Sequence, residues 1–351
     1  MFFSGATLSF KGNGLKLNST ADGELISRDI AAIHKLEALE LSGNTLGVEA
    51  SQSIAESLKK HPELKKVLWS DLFTGRLNTE IPVTLKTLCD AMTSVGTRLT
   101  VLDLSDNAIG PQAIGGLEEF LSGPSCFNLK EMHFNNCGLG AAGINVADCL
   151  IKCHEEALRS KTIFDLQVFV AGRNRLEDKG ARALANAFKT LGTLVEIRLY
   201  QDGIRPNGVI ALSQGLASCS KLKILDINDN TVGDDGAVAL SRIVGNFSEL
   251  QSLNLGDCLC RKRGSRSIVQ ALASKNLPIQ ELFLYGNEID AKSAEDIIQM
   301  ARTLPNLKTL DLHQNSFGSR FEELISKYRN RFIEWGAESD NEDSSDGEDD
   351  D

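Results

Sequence analysis

One frame recurs along this 351-residue chain and limits what it can fold into. In LTVLDLSDNAIG, starting at Leu99, aliphatic residues fall at Leu99, Leu102, Leu104 and Ile109, with Asn107 set between them. The frame returns in LEALELSGNTLG from Leu36, LKEMHFNNCGLG from Leu129, LKILDINDNTVG from Leu222, IQELFLYGNEID from Ile279 and LKTLDLHQNSFG from Leu307. Looser copies start at Leu64, Leu166, Leu194 and Leu250, and a partial one, LSFKGNGL, at Leu8. Aligned on the asparagine, the later positions are 174, 202, 230, 258, 287 and 315, a period of 28 or 29 residues. Units of that length bury their apolar faces only against their neighbours.

The spacing inside the frame is physical. Apolar residues at every second position make a short strand buried on one side. The polar residue after the strand turns inward, where an amide can satisfy backbone groups of the turn. Asn44, Asn107, Asn174, Asn230, Asn287 and Asn315 hold that place, with Cys137 and Cys258 standing in as structural residues. Between strands the apolar period lengthens to three and four, as in GARALANAFKTL (180–191), GVIALSQGL (208–216) and GAVALSRIVGNF (236–247); this is a helical stripe. The pattern L-x-x-L-x-L-x-x-N/C-x-L is that of the leucine-rich repeat. The expected fold is an α/β leucine-rich repeat solenoid, a horseshoe of about eleven repeats with a parallel inner sheet and outer helices. Two intervals are too long: Leu72 to Asn107 is 35 residues, and Cys137 to Asn174 is 37. The surplus must leave the stack as loops or longer helices.

Composition narrows the class. Hydrophobic residues make up 42% of the chain, enough for a large core, but no run nears the ~18 apolar residues of a membrane helix. The N-terminus does not read as a signal peptide, so the eight cysteines are expected to be reduced thiols. The net charge of −11 is concentrated in the C-terminal ESDNEDSSDGEDDD; without it the acids and bases nearly cancel. Bulk charge therefore gives no case for a nucleic-acid binder. The expected organisation is a repeat domain over 1–335 and a disordered acidic tail over 336–351.

Enzyme signatures are missing: there is no phosphate loop, no H-E-x-x-H and no G-x-S-x-G. Cys149, Cys153 and His154 have a faint metal spacing on a helix with no second ligand pair, so no metal site is expected. A solenoid of this kind presents a continuous surface for proteins. Its outward positions include Asp103, Asp106, Asp226, Asp229, Asp257 and Asp311, outnumbering Arg173 and Arg198. Such an acidic arc suits a basic partner.

Beyond the repeat, WSDLFTGRLNTEIP (69–82), LDLSDNAIGP, FNNCGLG, VFVAGRNRLED, NDNTVGDDGA and LGDCL, in this order, closely resemble the GTPase-activating proteins of the small GTPase Ran. The resemblance covers all the repeats, extends to the acidic tail, and is to the compact, yeast-like form. It implies an activator of GTP hydrolysis with no catalytic chemistry of its own, supporting nucleocytoplasmic transport. The implied protein is a monomer, cytoplasmic and perinuclear, with Ran-GTP as partner, alone or with a Ran-binding protein. No nucleic acid, membrane or cofactor is implied; GTP and Mg²⁺ belong to the partner.

The resemblance also implies roles for residues. Asn136 would orient the GTPase's own catalytic glutamine, and Asn135 would be a neighbouring contact. Arg76, in the first over-long interval, would serve in binding and positioning rather than as an arginine finger. Arg173, Arg175, Asp229 and Asp257 would contact the partner, although Arg175 has an alternative in an ion pair with Glu177 or Asp178. By strand alternation Asn136 points outward, so the fold is expected not to need its side chain. A non-catalytic leucine-rich repeat scaffold or inhibitor is the alternative function.

Overall fold

The computed structural model describes residues 5–329 and 331–340. They fall into two compact units that part between Leu194 and Val195. The first runs β1 (Ala6–Ser9), β2 (Lys16–Leu17), α1 (Thr20–Ala32), β3 (Leu36–Glu40), β4 (Thr45–Leu46), α2 (Val48–Leu58), β5 (Lys66–Leu68), α3 (Glu80–Ser94), β6 (Val101–Asp103), α4 (Glu118–Ser122), β7 (Glu131–His133), α5 (Ala142–Arg159), β8 (Val168–Val170) and α6 (Glu177–Leu191). The second runs β9 (Glu196–Arg198), α7 (Pro206–Leu216), β10 (Ile224–Asp226), α8 (Gly233–Val244), β11 (Ser252–Asn254), α9 (Arg261–Ser274), β12 (Glu281–Phe283), α10 (Ala291–Ala301), β13 (Thr309–Asp311), α11 (Phe321–Lys327) and β14 (Ile333–Glu334).

In the first unit β1, β3, β5, β6, β7 and β8 pair in parallel in chain order. In the second β9 to β14 do the same. Each strand is joined to the next by a helix or helical turns, which makes this an α/β leucine-rich repeat solenoid. The register puts equivalent residues side by side. Leu102, Met132 and Phe169 align in the first unit, and Leu225, Leu253, Leu282 and Leu310 in the second. All are buried, each contributing about 2 kcal/mol by leaving water.

The inward asparagines tie one repeat to the next. Asn107 donates from Nδ2 to Leu104 O of its own turn at 2.8 Å and to Trp69 O of the preceding repeat at 2.9 Å. Its Oδ1 accepts from Leu72 N at 2.8 Å. Asn174, Asn230 and Asn315 repeat the arrangement. A thiol supplies only the donor half. Cys137 Sγ reaches Leu104 O at 3.1 Å and Cys258 Sγ reaches Ile227 O at 3.3 Å. Burial pushes the Cys137 thiol up to about 12, in keeping with a structural residue.

The two long intervals resolve differently. The first makes a folded loop over 73–79 followed by the 15-residue α3. The second is absorbed mainly by α5, at 18 residues the longest helix of the described chain. Two details depart from the sequence expectation. The helical stripe over 236–247 ends at Val244, before Gly245. The last strand of the second unit, β14, lies in RFIEW, which lacks the leucine frame. The tail from residue 341 lies outside the described residues, while Glu338–Asp340 form a 3-10 turn. No helix of the described residues is long and apolar enough to cross a membrane.

Candidate functional site

Each strand leads into a turn whose first inward residue is fixed by the asparagine ladder. Closing that turn forces the residue just before it into the left-handed region. In the first unit this column holds Asp71 (φ +48°), Asp106 (+58°), Asn136 (+52°) and Arg173 (+61°); in the second, Gln201, Asp229 (+52°), Asp257 (+50°) and Gln314. Asp and Asn reach this conformation more easily than other non-glycine residues because their short side chains bond locally. Asn136, Arg173, Asp229 and Asp257 therefore share one structural address, and all four are exposed.

Asn136 is held on both sides. Its backbone N–H donates to Gly172 O at 2.8 Å. Its Nδ2 donates to Asp106 Oδ1, one repeat earlier, at 2.9 Å. Asp106 was read from the sequence only as one acid of the arc; its pairing across 30 residues is what the sequence did not reveal. The preference for Asp, Asn or Gly just before the inward residue, in SGN, SDN, NNC, NDN and GDC, is the available signal. Asn135 is half-buried, its N–H on Ser105 Oγ at 3.3 Å.

The next position in the column is Arg173, followed by Arg175 (φ +53°) and Glu177 (+53°). Left-handed backbone at non-Asn, non-Gly residues costs on the order of 1–2 kcal/mol each, so AGRNRLE is a strained edge. Among the described residues neither arginine forms an ion pair. The alternative of an Arg175 pair with Glu177 or Asp178 is not present in this structure.

Arg76 is placed otherwise than an edge residue awaiting a partner. Gly75 (φ +80°) turns the loop, and Thr74 Oγ1 donates to Asp71 Oδ1 at 2.6 Å. The guanidinium is thereby laid back on β4 and the end of β2. Nε donates to Thr45 Oγ1 at 2.9 Å, and Nη2 to Thr45 O, Leu17 O and Asn18 Oδ1 at 3.1, 3.2 and 2.7 Å. The loop shares a groove with the turn that follows Asn136. Asn78 lines a groove of about 310 Å³ together with Pro111, Gln112, Cys137 and Gly138, and Leu77 beside it is 68% exposed.

In the second unit the acidic face is partly neutralised. Asp226 and Asp311, expected in the open arc, are only 7% and 5% exposed. Asp226 accepts from Asn228 Nδ2 at 2.6 Å and pairs with Arg198 at 3.3 Å. Asp311 meets His313 Nδ1 at 2.5 Å. Parallel pairing of β9 and β10 brings Arg198 alongside Asp226, whereas Asn228 and His313 fold back on the carboxylate two residues earlier in their own repeat, so these acids are paired instead of facing water. Asp229 and Asp257 remain open at the turn. Burial and the neighbouring Asp229 charge hold the Asp257 carboxyl above its ordinary range, against a smaller opposing pull from His313. Tyr285 stacks on His313 with ring centroids 4.7 Å apart. It lies so close over Gly256 that a Cβ there would fall 2.0 Å from the ring.

A leucine-rich repeat family model matches residues 97–115 and 218–241. The chain is 50% identical over 198 residues to Ran GTPase-activating protein 1 of Xenopus laevis, covering 56% of this chain and 34% of that one. It is 43% identical over 319 residues to the Ran GTPase-activating protein of Drosophila melanogaster, covering 91% and 54%. Against Ran GTPase-activating protein 1 of Saccharomyces cerevisiae it is 31% identical over 319 residues, covering 88% and 77%. The chain thus spans about a third to a half of the frog and fly relatives, and about three quarters of the yeast one. With the repeat, the turn edge and a relative of this identity matched over most of both lengths, the chain belongs to the Ran GTPase-activating protein family.

Proposed function

We propose that this chain activates GTP hydrolysis by Ran, binding Ran-GTP along the turn edge of its repeats and acting on the GTPase's own catalytic glutamine. The observation that carries the reading is the exposed Asn136, fastened at its backbone and at one end of its amide beside the groove lined by Asn78 and Gly138. An immobilised amide offers hydrogen bonds at little ordering cost. Held against a glutamine side chain, it would fix that side chain's rotamer and, through it, the attacking water. GTP and Mg²⁺ come with the partner, and the chain supplies positioning.

Arg76 supports a mechanism without an arginine finger. A finger must reach the transferring phosphate, whereas the Nε and Nη2 groups of Arg76 are spent on Thr45, Leu17 and Asn18. Its role in this reading is to hold the FTGR loop, with Asn78 and Leu77, in place for contact. Arg173 and Arg175, without ion-pair partners in the described chain, are contacts for acidic groups of Ran. Asp229 and Asp257 suit its basic surface, and an activator of this kind supports nucleocytoplasmic transport from the cytoplasm.

Single-turnover hydrolysis of GTP bound to Ran, with and without catalytic amounts of this chain, tests the proposal. Acceleration by several orders of magnitude is expected. Binding to Ran-GTP without acceleration would instead identify a non-catalytic scaffold.

A further inference from the structure

We propose that Asp106 is a positioning residue for Asn136: it holds the amide by its NH₂ end and thereby presents the amide carbonyl to the partner. The inference rests on the function proposed above and specifies which end of Asn136 acts. An ionised carboxylate only accepts hydrogen bonds. The 2.9 Å contact between Asn136 and Asp106 Oδ1 therefore fixes which way round the amide lies. The reverse orientation would set a carbonyl oxygen against a carboxylate oxygen.

The surroundings make this bond the deciding one. Both backbones are fixed by the ladder, Asp106 N–H on Asn135 O and Asn136 N–H on Gly172 O, each at 2.8 Å. Both residues are left-handed, at φ +58° and +52°, so their side chains leave the turn from equivalent points of adjacent repeats. On the far side of Asp106, Asp71 already accepts from Thr74 Oγ1 at 2.6 Å. The terminal torsion of an asparagine is otherwise broad and nearly two-fold. One charge-assisted hydrogen bond biases the two orientations by about tenfold or more.

The consequence is chemical. One N–H of the Asn136 NH₂ is held by Asp106, which turns the amide so that its carbonyl is the end offered to the partner as an acceptor; the group that meets this carbonyl must carry an N–H. A glutamine held in this way gives its NH₂ to Asn136 and keeps its own carbonyl for a proton of the attacking water. Asn136 acting as a donor would leave the glutamine with the wrong end toward the water.

Swapping the two residues tests the proposal, because Asp and Asn both tolerate the left-handed backbone and the net charge is unchanged. The measurement is the saturated single-turnover rate on Ran-GTP for the parent, Asn136→Asp, Asp106→Asn and the double variant. Melting temperature and affinity for Ran loaded with a non-hydrolysable GTP analogue are measured alongside. Asn136→Asp sets two carboxylates face to face, and a loss of about tenfold or more is expected from the like-charge contact. Asp106→Asn removes the bias between amide orientations, with an expected loss of about threefold. In the double variant the amide at position 106 donates to one oxygen at position 136 and the other oxygen remains an acceptor. Recovery to within about threefold of the parent is expected, the coupling that such a cycle isolates. A double variant no faster than Asn136→Asp, beside a parent that does stimulate Ran, overturns this inference alone. Rate losses that only follow a falling melting temperature overturn it too. A parent that leaves the Ran rate unchanged overturns both this inference and the functional reading beneath it.

Discussion

Arg76 is bound to Thr45 twice, its Nε donating to Oγ1 at 2.9 Å and its Nη2 to the backbone carbonyl at 3.1 Å. The residue with the most suggestive position in the sequence is therefore a clamp between the FTGR loop and the two preceding repeats. Arg76→Ala leaves Leu17 O, Thr45 O and Asn18 Oδ1 without this donor. It should destabilise the chain by about 1–3 kcal/mol, the range for hydrogen bonds from a charged group, as read by denaturant melts. Arg76→Lys keeps the charge but loses the planar fork and should recover only part of this. A variant with parental stability and an abolished saturated rate on Ran would restore the finger interpretation.

For Asn136, outward pointing is not the whole of its effect on stability. The side chain is exposed as expected, but the backbone at φ +52° favours Asn or Gly over Ala. Asn136→Ala should cost about 1 kcal/mol, and Asn136→Gly less. Both should lose most of the saturated rate on Ran while binding the GTP-analogue complex nearly as well. Activity in the glycine variant equal to the parent's would show that the amide has no part in activation.

The Asp229–Asp257 pair predicts a pH effect of definite sign. The Asp257 carboxyl is held above its ordinary value, first by burial and then by Asp229. The folded state thus binds a proton more readily than the unfolded one, and stability falls as pH rises from the ordinary carboxylate value of 3.8 through the raised one. Asp257→Asn, which also tolerates the left-handed turn, should raise the melting temperature at pH 7 and leave it unchanged near pH 3. A lower melting temperature at pH 7 would mean that the carboxylate is stabilising.

The end of the second unit is closed by β14 and Trp335. The indole packs edge-on against Phe317, with ring centroids 5.7 Å apart, and is 9% exposed. Trp335→Ala should cost about 3 kcal/mol, as large-to-small changes in packed positions do. A chain ending at Ala337 should melt like the full one, because the segment removed is rich in Asp and Glu and has no apolar periodicity. Equal loss from both changes would place a stabilising element in the acidic segment.

The sequence by itself determined the repeat, the parallel α/β solenoid, the inward Asn and Cys positions and the places where surplus residues must leave the stack. These follow from alternation and period, which are local properties written in every copy of the frame. It also marked Asn136, Arg173, Asp229 and Asp257, without showing that each takes the same left-handed position in its own repeat. Only the tertiary structure decided that Arg76 folds back on Thr45, that Asp226 and Asp311 are buried in pairs, that RFIEW supplies a last strand, and that Asp106 holds Asn136. Apart from the Asp311–His313 pair, which forms within one turn, each of these depends on what the neighbouring repeat presents at the same height, about 30 residues away in the chain for Asp106 and Asn136. Stacking, not local pattern, sets which side chains meet, and so it is stacking that turned one exposed asparagine into an oriented one.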